Sequence, residues 1–256
     1  MRHRFDVVEG GCVAQSVIAT VWRVRLGSGQ EAALKHYSSG HMGNETSGGT
    51  YLQRAGDLAV PILDRSRDAI LMAWCDGSSL GNFARAGHLC LADQALADIA
   101  QKLLAREMKC EGLAPLTALF SALVQPKFED PDLQEAQLLA RSLLGQVSHQ
   151  VALHGDLHFD NVLQAKDGWQ VIDAKGVLGP PGFELANAFR HPRGCRAEIL
   201  TAEVINRRLE QWSGALGCSP MQLCQWAAIK TALSRVWKDV EQDQELLHLL
   251  LQWQRG

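Results

Sequence analysis

The spacing of hydrophobic positions changes character near residue 80. Before it, residues 7–9, 19–25 and 31–35 form short apolar or β-rich runs separated by Gly10-Gly11 and Gly27-Ser28-Gly29, which predicts an antiparallel meander. A further apolar run, Ala69-Ile-Leu-Met-Ala-Trp74, reads as a strand and ends at the turn-rich Cys75-Asp-Gly-Ser-Ser-Leu80. Beyond that break, apolar residues recur at helical spacing over 91–105 and 133–144, and residues 221–253 read as two more amphipathic helices. Pro126 and Pro131 mark a loop between helical segments. The pattern predicts an α+β chain of two lobes: a small antiparallel sheet in residues 1–76 and a larger, mainly helical part in residues 77–256.

Composition narrows the partners. With 256 residues, 46% of them hydrophobic, the chain can bury a substantial core. A net charge of −3 without a basic stripe argues against a nucleic-acid partner. The start, Met1-Arg-His-Arg-Phe-Asp, has no apolar export core, and no apolar run approaches membrane-spanning length. Seven cysteines without Cys-x-x-Cys pairs predict reduced thiols in a cytoplasm, with Cys12, Cys75, Cys110 and Cys195 as small apolar filler.

The candidate chemistry lies in His154-Gly-Asp-Leu-His-Phe-Asp-Asn-Val-Leu163 and in Val171-Ile-Asp173 beyond a short turn. Phosphoryl transfer from ATP needs a carboxylate to orient the attacking hydroxyl and oxygen ligands for magnesium. Asp156 is the candidate base, and Asn161 a candidate metal ligand. Two apolar runs flank Lys166-Asp-Gly168, so a hairpin would return Asp173 to Asn161, where both could hold Mg2+ against the phosphates of ATP.

Such chemistry also asks for a phosphate-binding lysine on the sheet. Lys35, at the end of Ala32-Ala-Leu-Lys35, fits that role, with Glu45 on the next helical segment as its partner. Gly48-Gly49 would cost that helix about 1 kcal/mol per glycine, so it is expected to be short or to begin late. The backbone from Met72 to Trp74 is the candidate adenine contact, and residues 10–16 are placed to cover phosphates. Trp74 reads equally as a core aromatic.

These residues, with Ile172-Asp-Ala-Lys-Gly176 and Gly182-Phe-Glu-Leu-Ala-Asn-Ala-Phe-Arg190-His-Pro192, resemble the aminoglycoside phosphotransferase superfamily, particularly its streptomycin kinase and hydroxyurea kinase branch. The resemblance implies a bilobal protein-kinase-like fold and an ATP-dependent enzyme that phosphorylates a hydroxyl of a small molecule, an aminoglycoside such as streptomycin being one candidate. It makes Asp156 the base, Asn161 and Asp173 the magnesium ligands, Lys35 the phosphate lysine and Glu45 its partner, with His154 bracing the loop. Lys175 stands either near phosphate or in solvent. Ala174 replaces the branch's usual proline and Glu184 its aspartate, the latter at a structural hydrogen bond behind the catalytic loop. Residues 103–108 lack the branch's leucine-histidine pair.

Two rival readings use the same stretch. His154, Asp156, His158 and Asp160 alternate as ligands would in a metal-dependent hydrolase, although that leaves Asn161 and Asp173 idle. A catalytically silent ATP-binding protein is the other, and the complete set of Asp156, Asn161 and Asp173 argues against it. A polycationic acceptor would need acidic residues, which Asp239, Glu241, Asp243 and Glu245 supply unless they form a solvated helix face.

Overall fold

The computed structural model describes residues 4–147, 149–166, 168–238 and 240–255; Asp167 of the hairpin turn and Asp239 of the acidic run lie outside them. Strands β1 (Val7–Gln15), β2 (Ala19–Leu26), β3 (Glu31–Tyr37), β4 (Ile62–Arg65) and β5 (Ala69–Ala73) form an antiparallel sheet in the order β1-β2-β3-β5-β4. β1 runs through Gly10 and Gly11, which pair with Val24 and Arg23 rather than ending the strand. It is an edge strand with two register shifts, which limit its use as a template for further strands.

β3 is central, and its alternation decides what faces the cleft. Ala32 and Leu34 point to one side, where they pack with Phe5, Val24, Ala69 and Leu71. Ala33, Lys35 and Tyr37 therefore face the other side. Lys35 lies opposite Val21 and Ile70, which fixes its height on the sheet. A 3-10 turn at Gly43–Glu45 precedes helix α1 (Gly48–Ala55), so Glu45 sits just outside the helix rather than on it.

The second lobe is built on helices. α2 (Leu80–Phe83) leads through an irregular turn into α3 (Leu89–Ala105), and short helices α4 (Leu116–Leu119) and α5 (Ser121–Val124) precede α6 (Pro131–Gly145). Pro131 opens α6 instead of lying in a loop: proline suits the first helical turn, and Asp130 caps the end by accepting from the Leu133 N–H at 3.0 Å. After α7 (Arg196–Ile199), α8 (Ala202–Leu216) packs on α3, and α9 (Pro220–Trp237) lies between α6, α8 and α10 (Glu241–Trp253). α9 is buried over most of its circumference, including the polar residues Lys230, Thr231, Ser234 and Arg235. Among the described residues no helix is long and apolar enough to cross a membrane.

Short strands carry the site between the lobes. β6 (Ala114–Pro115), β10 (Val177–Gly179) and β7 (Val151–Leu153) form a small sheet in the order β6-β10-β7, and β8 (Val162–Ala165) pairs with β9 (Gly168–Val171) as a hairpin. The hairpin touches both lobes, since Val60 N–H donates to the Val171 carbonyl at 3.1 Å and Gln164 N–H to that of Ser78 at 3.0 Å.

Gly48 couples α1 to the segment after the hairpin. A Cβ there would lie 1.7 Å from the Ala174 carbonyl oxygen. Helix propensity alone predicts that Gly48→Ala stabilises by about 1 kcal/mol, but the overlap is too close to absorb and the clash wins. Denaturant unfolding is expected to show a net loss of about 1–3 kcal/mol. Gly214→Ala in α8, with open space around it, should instead gain about 1 kcal/mol.

Candidate active site

The loop after β7 is clamped from behind. Glu184 is buried and accepts the backbone N–H groups of His154 at 3.0 Å and Gly155 at 3.2 Å. Burial pushes its carboxyl up to about 7, against the pull of those two donors. The glutamate at this position thus makes the structural bond expected of the shorter aspartate. His154 is fully buried, and its Nε2 bonds the Ile172 carbonyl at 2.8 Å while Nδ1 accepts from Asp156 N–H at 3.3 Å. Burial lowers its pKa to about 4, which keeps the ring neutral and suits a brace between loop and hairpin.

Asp156 emerges from this clamp. Its Oδ1 accepts from Asn187 Nδ2 at 2.7 Å, and its Oδ2 lies 3.4 Å from Lys175 Nζ. Burial would raise its pKa, but the charges of Lys175, His158 and Lys230 outweigh it and hold the carboxyl well below the usual carboxylate range. Asn187 is itself oriented, because Lys230 Nζ at 3.0 Å and Arg190 Nη1 at 2.8 Å both donate to its Oδ1. Two donors on the oxygen turn the NH2 group toward Asp156.

Asn161 and Asp173 meet as the hairpin demands. Ile172 N–H donates to the Asn161 carbonyl at 3.0 Å, which brings the far end of β9 back to the loop. Asn161 Nδ2 donates to the Asp156 carbonyl at 3.0 Å, leaving Oδ1 as the end available to a ligand. Asp173 adopts a left-handed φ of 58° and receives Lys35 Nζ at 3.2 Å on Oδ1. Lys35 also donates to Glu45 Oε2 at 2.8 Å, and the Tyr37 hydroxyl joins the same oxygen at 2.6 Å. Burial works against the charge on Lys35, yet the two carboxylates prevail and raise its pKa. Lys175 behaves in the same way: burial disfavours its ammonium, and Asp156 and Glu45 more than compensate.

Asp156, Asn161, Asp173, Lys35 and Glu45 line one cavity of about 340 Å³ together with Ser16 of the β1–β2 turn. Asn161 and Asp173 offer an amide oxygen and a carboxylate, hard ligands of the kind magnesium takes while keeping several waters. The donor set therefore fits Mg2+, which when bound would neutralise phosphate charge. Lys35, buried and paired with two carboxylates, lines the cavity as a fixed cation.

The sequence profile of the aminoglycoside/hydroxyurea antibiotic resistance kinases matches residues 4–242. The chain belongs to this family. It is 33% identical over 189 residues to streptomycin 3''-kinase of Klebsiella pneumoniae, covering 71% of either protein. Hydroxyurea phosphotransferase of Kitasatospora aureofaciens is 41% identical over 80 residues, 29% of this chain and 23% of that one. A thermostable mutant of aminoglycoside phosphotransferase APH(4)-Ia shares the fold with a TM-score of 0.67 at 14% identity, over 98% of this chain and 96% of the other. The architecture is thus that of the protein-kinase-like phosphotransferases, and this chain is a small-molecule kinase.

Other candidate residues of the kinase fall elsewhere. Met72 packs in the N-terminal lobe with Tyr37, Val60 and Ile70, and neither it nor Trp74 lines the cavity around Asp156. The N–H groups of Ala73 and Trp74 go to the carbonyls of Pro61 at 2.9 Å and Glu31 at 3.3 Å. The Trp74 indole donates to Asp76 at 2.7 Å beneath the Arg23 guanidinium. The acidic run is not a free face either: Glu241 and Glu245 pair with Arg196, and buried Asp243 pairs with Arg190 and Arg193. Of the four cysteines read as filler, Cys195 is buried, whereas Cys12 and Cys110 are exposed.

The hydrolase set does not assemble. His154 has both ring nitrogens engaged. His158 instead stacks on His191 with centroids 3.8 Å apart and planes at 7°, so their in-plane lone pairs run side by side rather than toward one ion. Asp160 completes that group within 4.8 Å, but Arg85 already holds it at 2.6 Å.

Asn187 and Lys230 are the residues that sequence reasoning missed. Each is a polar residue inside an apolar run, Asn187 between Ala186 and Ala188 and Lys230 after Ala227-Ala-Ile229, and that contrast was the available signal. Burial and the Arg190 charge lower the Lys230 pKa from 10.5 to about 7. Above pH 7 the unfolded chain holds a proton that the folded one lacks, so stability should rise with pH until about 10.5, by at most about 1.4 kcal/mol per pH unit. Lys230→Met is expected to remove that slope in denaturant unfolding between about pH 7.5 and 9.5.

Proposed function

We propose that the chain transfers the γ-phosphoryl group of magnesium-bound ATP to a hydroxyl of a small molecule. Asp156 orients the hydroxyl and accepts its proton, Asn161 and Asp173 hold the metal, and Lys35, held by Glu45, binds phosphate. Residues 1–76 form the nucleotide-binding lobe and residues 77–256 the catalytic and acceptor lobe. The reading is carried by the convergence of an ionised Asp156, the Asn161 and Asp173 oxygens and the Lys35–Glu45 pair on one cavity. The names of the two relatives point to streptomycin and hydroxyurea as the first acceptors to try.

A screen for ADP formation tests this reading across aminoglycosides, hydroxyurea and other hydroxylated metabolites, with and without magnesium. Acceptor-dependent ADP release that requires magnesium is expected with at least one compound. Release that ignores both acceptor and metal would contradict it.

A further inference from the structure

We propose that Lys175 is a second catalytic cation, which leaves Asp156 when substrates bind and donates to the oxygens of the γ-phosphoryl group in the transition state. This inference rests on the phosphotransfer reading above. From Asp156 to Asn161 the loop runs Asp-Leu-His-Phe-Asp-Asn, with no lysine or arginine, so a cation for the transferring group has to come from elsewhere. Lys35 is already held by Glu45 at 2.8 Å and Asp173 at 3.2 Å, on the metal side of the cavity. Lys175 stands beside the base, next to the residues that line the cavity.

Its backbone is fixed by short hydrogen bonds, while its largely buried ammonium is held by charge over longer distances. The N–H groups of Lys175 and Gly176 both donate to the His154 carbonyl, at 2.8 and 3.1 Å, tying this segment to the catalytic loop. The Nζ approaches Asp156 Oδ2 at 3.4 Å and Glu45 Oε1 at 3.9 Å, both longer than these backbone bonds. Because Asn187 already donates to Oδ1 of Asp156 at 2.7 Å, Oδ2, the oxygen that Lys175 now faces, is the freer one for an acceptor hydroxyl. A hydroxyl there sits about 2.7 Å from the carboxylate oxygen, with the phosphorus roughly 3–3.5 Å beyond in a near-attack geometry. The phosphoryl oxygens then fall within the sweep of the flexible lysine stem.

The step balances without a further reactant. The acceptor oxygen forms its bond to the γ-phosphorus, the bond from that phosphorus to the bridging oxygen breaks, and the electron pair leaves on ADP. The hydroxyl proton passes to Asp156, and Lys175 keeps all of its protons, contributing charge and hydrogen bonds alone. A lysine that merely balances Asp156 and Glu45 would predict a different outcome.

The test compares wild type and Lys175→Met for turnover, for ADP affinity and for affinity toward the transition-state mimic of magnesium, ADP and aluminium fluoride. We expect turnover and mimic affinity each to fall roughly 100-fold while ADP affinity stays near wild type. Unchanged turnover, or a loss of ADP affinity matching the loss of turnover, overturns the proposal. Should Lys175→Met not fold, Lys175→Gln is read in the same way, and failure of both to fold makes the residue structural and ends the idea. A wild type without ADP release defeats the phosphotransfer reading itself, whereas active wild type with equally active variants defeats only the role of Lys175.

Discussion

Asp156→Asn is expected to lower turnover by about 10³–10⁴-fold while nucleotide affinity stays near wild type. The substitution keeps the shape of the side chain and an oxygen for Asn187 to donate to, so the loop clamped by Glu184 and His154 should persist. It removes the negative charge that draws the acceptor hydroxyl and takes its proton. Steady-state kinetics beside equilibrium nucleotide binding separates the two quantities. Because the neighbouring cations keep Asp156 ionised well below the usual carboxylate range, its titration should leave no limb in the pH profile near neutrality. The same depression stabilises the fold above the ordinary aspartate pKa, and that contribution is lost only as pH falls toward the lowered value.

Asp173→Asn is expected to reduce turnover roughly 10³-fold and to raise the magnesium concentration needed for half-maximal rate by at least about tenfold. Asparagine is the informative replacement because Asp173 has a φ of 58°, a region asparagine tolerates and alanine enters at about 1–2 kcal/mol. The loss then reports on charge and not on strain. Lys35 loses one of its two carboxylates in this variant but keeps Glu45, so its own position should hold. A magnesium titration of the rate distinguishes a weakened metal site from a misplaced base: Asp156→Asn leaves the metal requirement unchanged, and Asp173→Asn shifts it.

The parts of the site that were legible in the sequence are those set by short-range rules. Lys35 was read from its place at the end of Ala32-Ala-Leu-Lys35, and the hairpin around residues 166–168 brought Asp173 back to Asn161 without any tertiary knowledge. What stayed hidden depends on distant partners. Gly48 read as a helix defect, yet its role is the approach of the Ala174 carbonyl, more than a hundred positions along the chain. Residues 241–245 read as an acidic face, but folding sets them against Arg190, Arg193 and Arg196. Lys230 was left without a role on a helix read as amphipathic, whereas α9 is enclosed on most sides and directs it to Asn187. Trp74 was read as the end of a strand and as either an adenine contact or a core aromatic, and its contacts with Asp76 and Arg23 come from side-chain chemistry that strand prediction does not address.

The central claim is that Asp156, Asn161 and Asp173 act together to move a phosphoryl group from ATP to a small hydroxylated acceptor. It is tested most directly by following radiolabelled γ-phosphate from ATP into an acceptor found in the screen, with wild type, Asp156→Asn and Asp173→Asn side by side. The account predicts label in the acceptor with wild type and magnesium, and almost none with either variant. Label transferred undiminished by Asp156→Asn would contradict it.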